Sequence, residues 1–458
     1  TYGTLSGDLF DLPAGTVKAA LGFEARVEQG QYNSSAIQDL GLTRSAARPS
    51  LGGGYEVDAD YYEVSVPLMG GDVTLPFIAS LVVDYSSRTI DNSIAGSYDV
   101  DATSLNWRVM DDLAIRVSEQ TAVKAPDLGD LFLPQITTFS TAADPCDYRY
   151  RDVGRNPEQR RANCDAEGIP ADFISNVVNA TAQGVTGGNP NLINEVADTK
   201  STGLVYQPSW WGDVLFGAAS FAVDYIEIEL TDYVTSYSLT QNMNACYDYD
   251  TYPNSQFCDS FSRDAEFQVD DFATGLINAG LIDFATYVWK ADWAFDVSEL
   301  ASFVSRENVA MDLGSMAIRY RATQEDFFAS ADSGAAEDLR SATGQFGNDE
   351  WFYDTQFEWA YQDWYVYVQG NSRSGGVIDI DRVYDDEYLG YDGQPIFEFD
   401  GYTSWNGGVG YRVNDGTTLR VNVSNLFDYD GTEDDVFTPE ADLLFYGRSV
   451  TASMNVRF

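Results

Sequence analysis

The 458-residue sequence contains no histidine. That absence removes the Ser-His-Asp triad, the usual zinc sites and imidazole acid–base catalysis together. Basic residues are scarce: 26 Lys and Arg stand against 72 Asp and Glu, giving a net charge of -46 and a pI near 4.1. A phosphate backbone needs a basic footprint, so nucleic acid is excluded as a partner. A basic patch for anionic lipid is excluded too. The acidic surplus suits either a hydrated, salt-adapted surface or one that binds cations. Long apolar runs are also missing, and mean hydropathy is -0.26. Without eighteen consecutive apolar residues there is no transmembrane helix, so any membrane crossing must use strands. No Gly-rich phosphate loop, nucleophile elbow or fixed-length repeat occurs, which argues against phosphate-loop and hydrolase chemistry, propellers and solenoids. The opening residues, Thr1 to Gly7, lack the character of a signal peptide. An exported protein needs one, so the expectation is a mature chain or a piece of one.

Cysteine is limited to four residues, Cys146, Cys164, Cys246 and Cys258. They fall as two local pairs in polar, turn-rich stretches, which reads as the disulfides Cys146–Cys164 and Cys246–Cys258 made in an oxidising compartment; four cysteines permit three connectivities. Neither pair has metal-finger spacing.

Aromatic side chains are abundant, with 29 Tyr, 26 Phe and 9 Trp. They recur within stretches of two-residue alternation. In the final segment Val450, Ala452, Met454, Val456 and Phe458 share one face, and Ser449, Thr451, Ser453, Asn455 and Arg457 share the other. Such a strand fits a barrel wall with lipid outside and water inside, or a half-buried strand of a soluble sandwich. Similar alternation appears at Leu21–Val27, Tyr62–Val66, Ala79–Tyr85, Leu105–Val109, Leu113–Val117, Leu215–Tyr225, Tyr287–Phe295, Met316–Tyr320, Tyr353–Tyr361, Trp364–Val368, Trp405–Tyr411 and Leu419–Val423. About fourteen or fifteen segments of this kind are expected, many with an aromatic near one end. Connections alternate between tight turns, such as Asn414-Asp415-Gly416, and long polar stretches at 126–196, 231–270 and 324–349. Periplasmic turns opposite extracellular loops would give that asymmetry. A short helix is expected at 170–180. The fold class is therefore all-β, an antiparallel transmembrane barrel.

Four segments occur in an order that resembles the barrel of TonB-dependent outer-membrane receptors. They are the turn Leu12-Pro13-Ala14-Gly15 with the strand after it, and Arg116 to Phe132 with its Lys124-Ala125-Pro126. They continue with Gly188-Asn189-Pro190-Asn191-Leu192 leading to Asp198 and Gly203, and with Asn425-Leu426-Phe427-Asp428 before the last strand. Pro126 lacks the ladder N–H and restrains Ala125, and Gly188 to Pro190 makes a turn. These are structural roles and specify no substrate. The resemblance implies a 22-stranded barrel with an N-terminal plug and a TonB box, the short segment that contacts TonB. Nothing here looks like either. The residues would then make the C-terminal part of the barrel, about two-thirds of its wall. The remainder is expected to be absent from this sequence or supplied by another chain. On that basis Leu21–Val27 should pair on its N-terminal side with a strand from elsewhere.

The implied function is active uptake of a nutrient across the outer membrane of a Gram-negative bacterium. The implied partners are the TonB complex, outer-membrane lipid and lipopolysaccharide, and a small nutrient ligand. So acidic a chain should repel anionic ferric siderophores, which favours a neutral oligosaccharide, a peptide or a cation complex. No enzymatic residues are expected. Calcium is the one cofactor suggested, through Asp379, Asp381, Asp385 and Asp386 with Glu387 and Asp392, and through Asp428, Asp430 and Asp434 with Glu433 and Asp435. These clusters suit hard-oxygen coordination or a solvated loop, and neither fits an EF-hand. Tyr148, Tyr150, Tyr247, Tyr249 and Tyr252 could stack on a sugar or simply pack. Two rival functions are a secreted calcium-dependent binding protein and a plugless porin-like channel.

Overall fold

The computed structural model describes residues 1–44, 46–307, 309, 311–331, 339–345, 347–377, 398–429 and 447–457. Period-two alternation becomes fifteen long strands. They are β1 (Tyr2–Leu12), β2 (Gly15–Tyr32), β3 (Leu51–Met69), β4 (Ser80–Asn92), β5 (Gly96–Met110), β6 (Leu113–Lys124), β7 (Glu195–Tyr206) and β8 (Ala218–Ser236). They continue with β9 (Val269–Asp296), β10 (Ser315–Ala331), β11 (Trp351–Tyr361), β12 (Trp364–Arg373), β13 (Tyr402–Asn414), β14 (Thr417–Ser424) and β15 (Ser449–Val456). Each pairs antiparallel with the next, so the wall is one continuous meander. Short strands at Ile136–Ser140, Ala182–Gly187, Phe261–Arg263 and Arg340–Ser341 bring the sheet to nineteen.

Directly opposed residues of an antiparallel pair share a face, so register alone sorts the side chains. One row runs Trp293, Ile318, Phe357, Val368 across β9 to β12, and another runs Val66, Val83, Leu105, Val117 across β3 to β6. One residue over, the rows read Asp292, Arg319, Gln356, Gln369, Asn406 and Ser65, Asp84, Ser104, Ser118, Ser201. The wall therefore has one apolar face and one hydrophilic face along its whole width. In β15, Val450, Ala452 and Met454 lie beside Val423, Val421 and Leu419, and Ser453 lies beside Arg420, as alternation requires. Phe458 lies outside the described residues.

Three expectations need correction. Leu21–Val27 pairs on its N-terminal side with β1 of this same chain, Leu5 opposite Leu21; the segment Tyr2–Leu12 mixes Gly, Ser and Asp into its alternation and was missed as a strand for that reason. The helix placed at 170–180 lies earlier, at Pro157–Glu167, started by Pro157 and ended by Gly168 in the left-handed region; only a 3-10 turn, Asn176–Val178, falls inside the expected range. Leu215 follows the short helix Trp211–Val214 and precedes β8.

Connections alternate by length. One end of the wall carries 13–14, 70–79, 111–112, 207–217, 297–314, 362–363 and 415–416, here the turn end. The loop end carries 33–50, 93–95, 125–194, 237–268, 332–350, 374–401 and 425–448. The asymmetry holds with two exceptions, the tight turn at 93–95 and the helix-bearing 297–314. The outer edges of β1 and β15 carry no ladder among the described residues, and these two strands do not pair with each other.

The two-faced wall predicts the cost of charge. Val421 sits mid-strand on the apolar face, and Val421→Lys should destabilise the folded barrel by about 2–4 kcal/mol if that face meets mid-membrane lipid. Asn422→Lys, one residue on and facing inward, should cost much less. Urea unfolding in lipid vesicles would measure both, and equal costs would contradict the assignment of faces.

Candidate functional site

At the loop end two connections, 125–194 and 237–268, jointly build a cap. Helix Pro157–Glu167 comes from the first, and helix Leu239–Tyr247 from the second, started by a Ser238–Gln241 capping box. Cys146 is bonded to Cys164 and Cys246 to Cys258, so each disulfide is internal to one connection. Ion pairs tie the two connections together. Arg160 of the first donates to Asp248 of the second at 2.5 and 2.6 Å, and Arg263 of the second donates twice at 2.8 Å to Asp144 of the first. All four side chains are almost wholly buried. Each arginine has further acceptors, the Tyr150 carbonyl and Asn244 for Arg160, the Phe267 carbonyl and the Tyr247 hydroxyl for Arg263. Bidentate geometry with these extra bonds is what keeps a buried pair from being a net cost. Strand Ala182–Gly187 ties the first connection to the wall, pairing parallel with Ala273–Gly275 of β9.

Burial sorts the tyrosines. Tyr247 is 1% exposed, stacks on Tyr252 and donates to Glu167, so it belongs to the cap core and offers no ligand platform. Burial pushes its phenol well above the ordinary tyrosine value, and burial with the Glu167 charge lifts Tyr252 to about 12. Tyr148, by contrast, is exposed, with the Arg149 guanidinium over its ring. Asp147 is fully buried; burial raises its pKa, but donation from Arg149 and from the Arg149 and Ser175 amides outweighs that and holds it below 3.8.

Beneath the cap lies the hydrophilic face. Between β1 and β6 it forms a groove of about 810 Å³ lined by Glu24, Arg26, Tyr61, Glu63, Arg88 and Gln120. Arg88 donates to Glu24 at 2.6 Å, and the remaining donors and acceptors open to the groove can hold a polar ligand. The cap reaches this side of the wall: Leu131 and Leu192 pack on Tyr55 and Val57, and Lys124 donates to buried Glu195 at 2.8 Å.

Glycine shapes this face at two strands. Arg116 of β6 meets Asp224 of β8 at 2.6 Å over Gly203 of the intervening β7, where a Cβ would stand 2.0 Å from the Asp224 carboxylate. Tyr367 and Asn422 likewise meet over Gly408. Further along, Arg321 pairs with Asp292 and Arg319 with Glu358, each at 2.7 Å. Sequence reasoning placed Arg116 and Gly203 in motif segments but paired none of these wall residues, because each partner lies on another strand. The one available signal was a charged residue recurring at the inward parity of successive strands.

Of the acidic clusters, Asp379, Asp381, Asp385, Asp386, Glu387, Asp392, Asp430, Glu433, Asp434 and Asp435 lie outside the described residues. Asp428 accepts the Arg448 amide at 2.8 Å and faces its guanidinium, so it closes a loop. Among the described residues no group of three or more carboxylates or cysteines is placed to hold a metal ion.

The cap generates two predictions. Arg160→Met should leave Asp248 buried and unpaired and cost the cap about 3–5 kcal/mol, with Arg160→Met combined with Asp248→Leu recovering much of it. Hydrogen exchange of the amides in Leu239–Tyr247 reads this, while heat-modifiable gel migration should stay normal because the wall is untouched. Asp147 sets the acid limit. With its pKa lowered on folding, its contribution is complete above the unfolded value near 3.8 and is lost as pH falls through the lower folded value. The protection factor of the Ser175 amide, its exchange rate relative to the intrinsic rate at each pH, should therefore fall only below about pH 4. A fall already at pH 5 to 6 would contradict this.

Three comparisons bear on identity. The family described as TonB dependent receptor-like, beta-barrel matches residues 1–426. Among solved structures, the siderophore receptor PirA from Acinetobacter baumannii is similar with a TM-score of 0.59 at 14% identity, over 100% of this chain and 54% of that one. A ferric enterobactin receptor mutant, PfeA from Pseudomonas aeruginosa, is similar with a TM-score of 0.59 at 12% identity, again over 100% and 54%. The chain thus spans about half the length of these receptors, and at such identity the likeness concerns the fold. No curated protein sequence matches. With a family match over nearly the whole sequence and a two-faced antiparallel wall, the chain belongs to the TonB-dependent receptor β-barrel family.

Proposed function

We propose that this chain forms the substrate-conducting wall and extracellular cap of a receptor for TonB-energised uptake of a nutrient across the outer membrane. The observation that carries the reading is the hydrophilic face continuous from groove to cap, with an apolar face behind it. A solute can be held on that face while lipid wets the other. Lipid and the inner part of lipopolysaccharide would contact the apolar face, and energy would come from the TonB complex through a plug. Among the described residues β1 and β15 do not pair with each other, which favours this over a small closed porin.

Charge supports a neutral oligosaccharide, a peptide or a cation complex as the substrate. At net -46 the chain repels strongly anionic complexes at low ionic strength, although salt near 1 M shortens the screening length to about 3 Å and weakens that selection. The PirA and PfeA structures are of siderophore receptors, so ferric catecholate is the comparison to run.

Binding of the purified receptor to neutral oligosaccharides, cationic peptides and a ferric catecholate complex should be measured from low to high salt. The catecholate should bind least tightly at low salt and gain as salt rises. If it binds most tightly at low salt, the charge argument fails. Uptake of the preferred solute should stop when TonB is deleted or the proton gradient collapsed; uptake that continues unchanged would show an open channel.

A further inference from the structure

Three tryptophans on the apolar face do the same thing at the turn end. The indole N–H of Trp107 donates to the Phe77 carbonyl at 2.9 Å, that of Trp293 to the Phe216 carbonyl at 3.0 Å, and that of Trp359 to the Leu313 carbonyl at 2.9 Å. Register puts all three in apolar rows, Trp107 beside Leu81 and Ile115, Trp293 beside Ile318, and Trp359 beside Met316. Their acceptors belong to three different turn-end connections, 70–79, 207–217 and 297–314. Each connection therefore folds outward, over the rim of the apolar face. An indole in an apolar belt needs an acceptor for its one donor, and here the returning chain supplies it.

The largest of these connections carries a helix, Val297–Ser305, in which Val297, Leu300, Ala301 and Val304 recur at helical spacing. Phe303 reaches back to Phe216, 5.4 Å between ring centroids, and Phe216 packs on Trp293 and Phe295 of the wall at 4.8 and 4.9 Å. The helix is thereby fixed beside the apolar face. Its polar groups are partly satisfied internally, since Ser302 donates to the Ser298 carbonyl and accepts from the Val309 amide. Its apolar groups are only partly covered: Val297, Leu300 and Ala301 are half-buried, but Val304 is 72% exposed, and Met311, just beyond it, 67%.

We propose that helix Val297–Ser305 is an in-plane membrane anchor, lying at the boundary between headgroups and acyl chains of the leaflet at the turn end. The occupant is phospholipid. The uncovered residues stand beside the wall's own apolar face, to which Phe303 and Phe216 tie the helix, and a helix apolar on one side and polar on the other is the form that lies along an interface. The Trp107 connection extends the same rim, with Phe77 exposed beside it. This rests on the outer-membrane reading above, so the test carries its own check of that reading.

The full-length protein in phosphatidylethanolamine/phosphatidylglycerol nanodiscs would carry a nitroxide at Val304→Cys, with Val421→Cys and Asp415→Cys as references for mid-wall and for the tight turn. The native cysteines are all disulfide-bonded and take no label. Collision rates with oxygen and with a nickel chelate are read by electron paramagnetic resonance. The expected result is a Val304 label favouring oxygen over nickel several-fold more than the Asp415 label, and at shallower depth than the Val421 label. A Val304 label as open to nickel as Asp415 would overturn the anchor, as would one shielded from both, since protein would then cover the helix. If Val421 is also open to nickel, the membrane reading itself falls, and the anchor with it.

Discussion

A backbone amide in hydrocarbon has no water to bond, and the wall of this chain answers to that constraint. Pairing each long strand to the next satisfies the groups along the wall, and alternation then decides what each face shows. The constraint explains how a chain carrying 72 acidic residues can belong to a membrane-barrel family: the mid-wall rows of one face are Val, Leu, Ile and aromatic residues, while Asp84, Asp292 and Arg319 lie in the rows one residue over. It also explains why aromatic residues concentrate in the apolar rows, where Trp293 and Trp359 find chain carbonyls for their indole groups.

The two ends of the wall solve different problems. At the loop end the connections are long enough to need a core of their own, and they obtain it by fusing. Neither disulfide crosses from one connection to the other, so side-chain bonds join them, the buried reciprocal pairs Arg160–Asp248 and Arg263–Asp144 with Asn163 and Tyr247 beside them, while the short parallel ladder at Ala273–Gly275 ties the first connection to β9. At the turn end the connections instead fold back on the wall itself.

Alternation was legible wherever it was regular. The strands from Leu105 to Val117, Tyr287 to Phe295 and Leu419 to Val423 lie where the sequence places them, and the cysteine pairs are bonded as their spacing suggests. The strand Tyr2–Leu12 was not legible, because Gly3, Ser6, Gly7 and Asp8 blur its period. Helix Pro157–Glu167 escaped for another reason: it packs through Arg160, Asn163 and Cys164, so its buried face carries no apolar stripe to read. The charge pairs of the groove and wall were beyond sequence reasoning altogether, since Arg116 and Asp224 become neighbours only after three strands have taken their places.

That last contact has a consequence for register. Arg116 and Asp224 can touch only if the residue between them on β7 has no side chain, and Gly203 alone meets that requirement there; its neighbours are Thr202 and Leu204. A slip of β7 by one position would turn Leu204 or Thr202 inward, separate the two charges and leave the carboxylate of Asp224, which is 9% exposed, without its partner. One small residue thus acts as a proofreading mark for three strands, two of them joined only through the 125–194 connection. Misaligned pairings, which would otherwise satisfy the backbone equally well, are rejected by electrostatics.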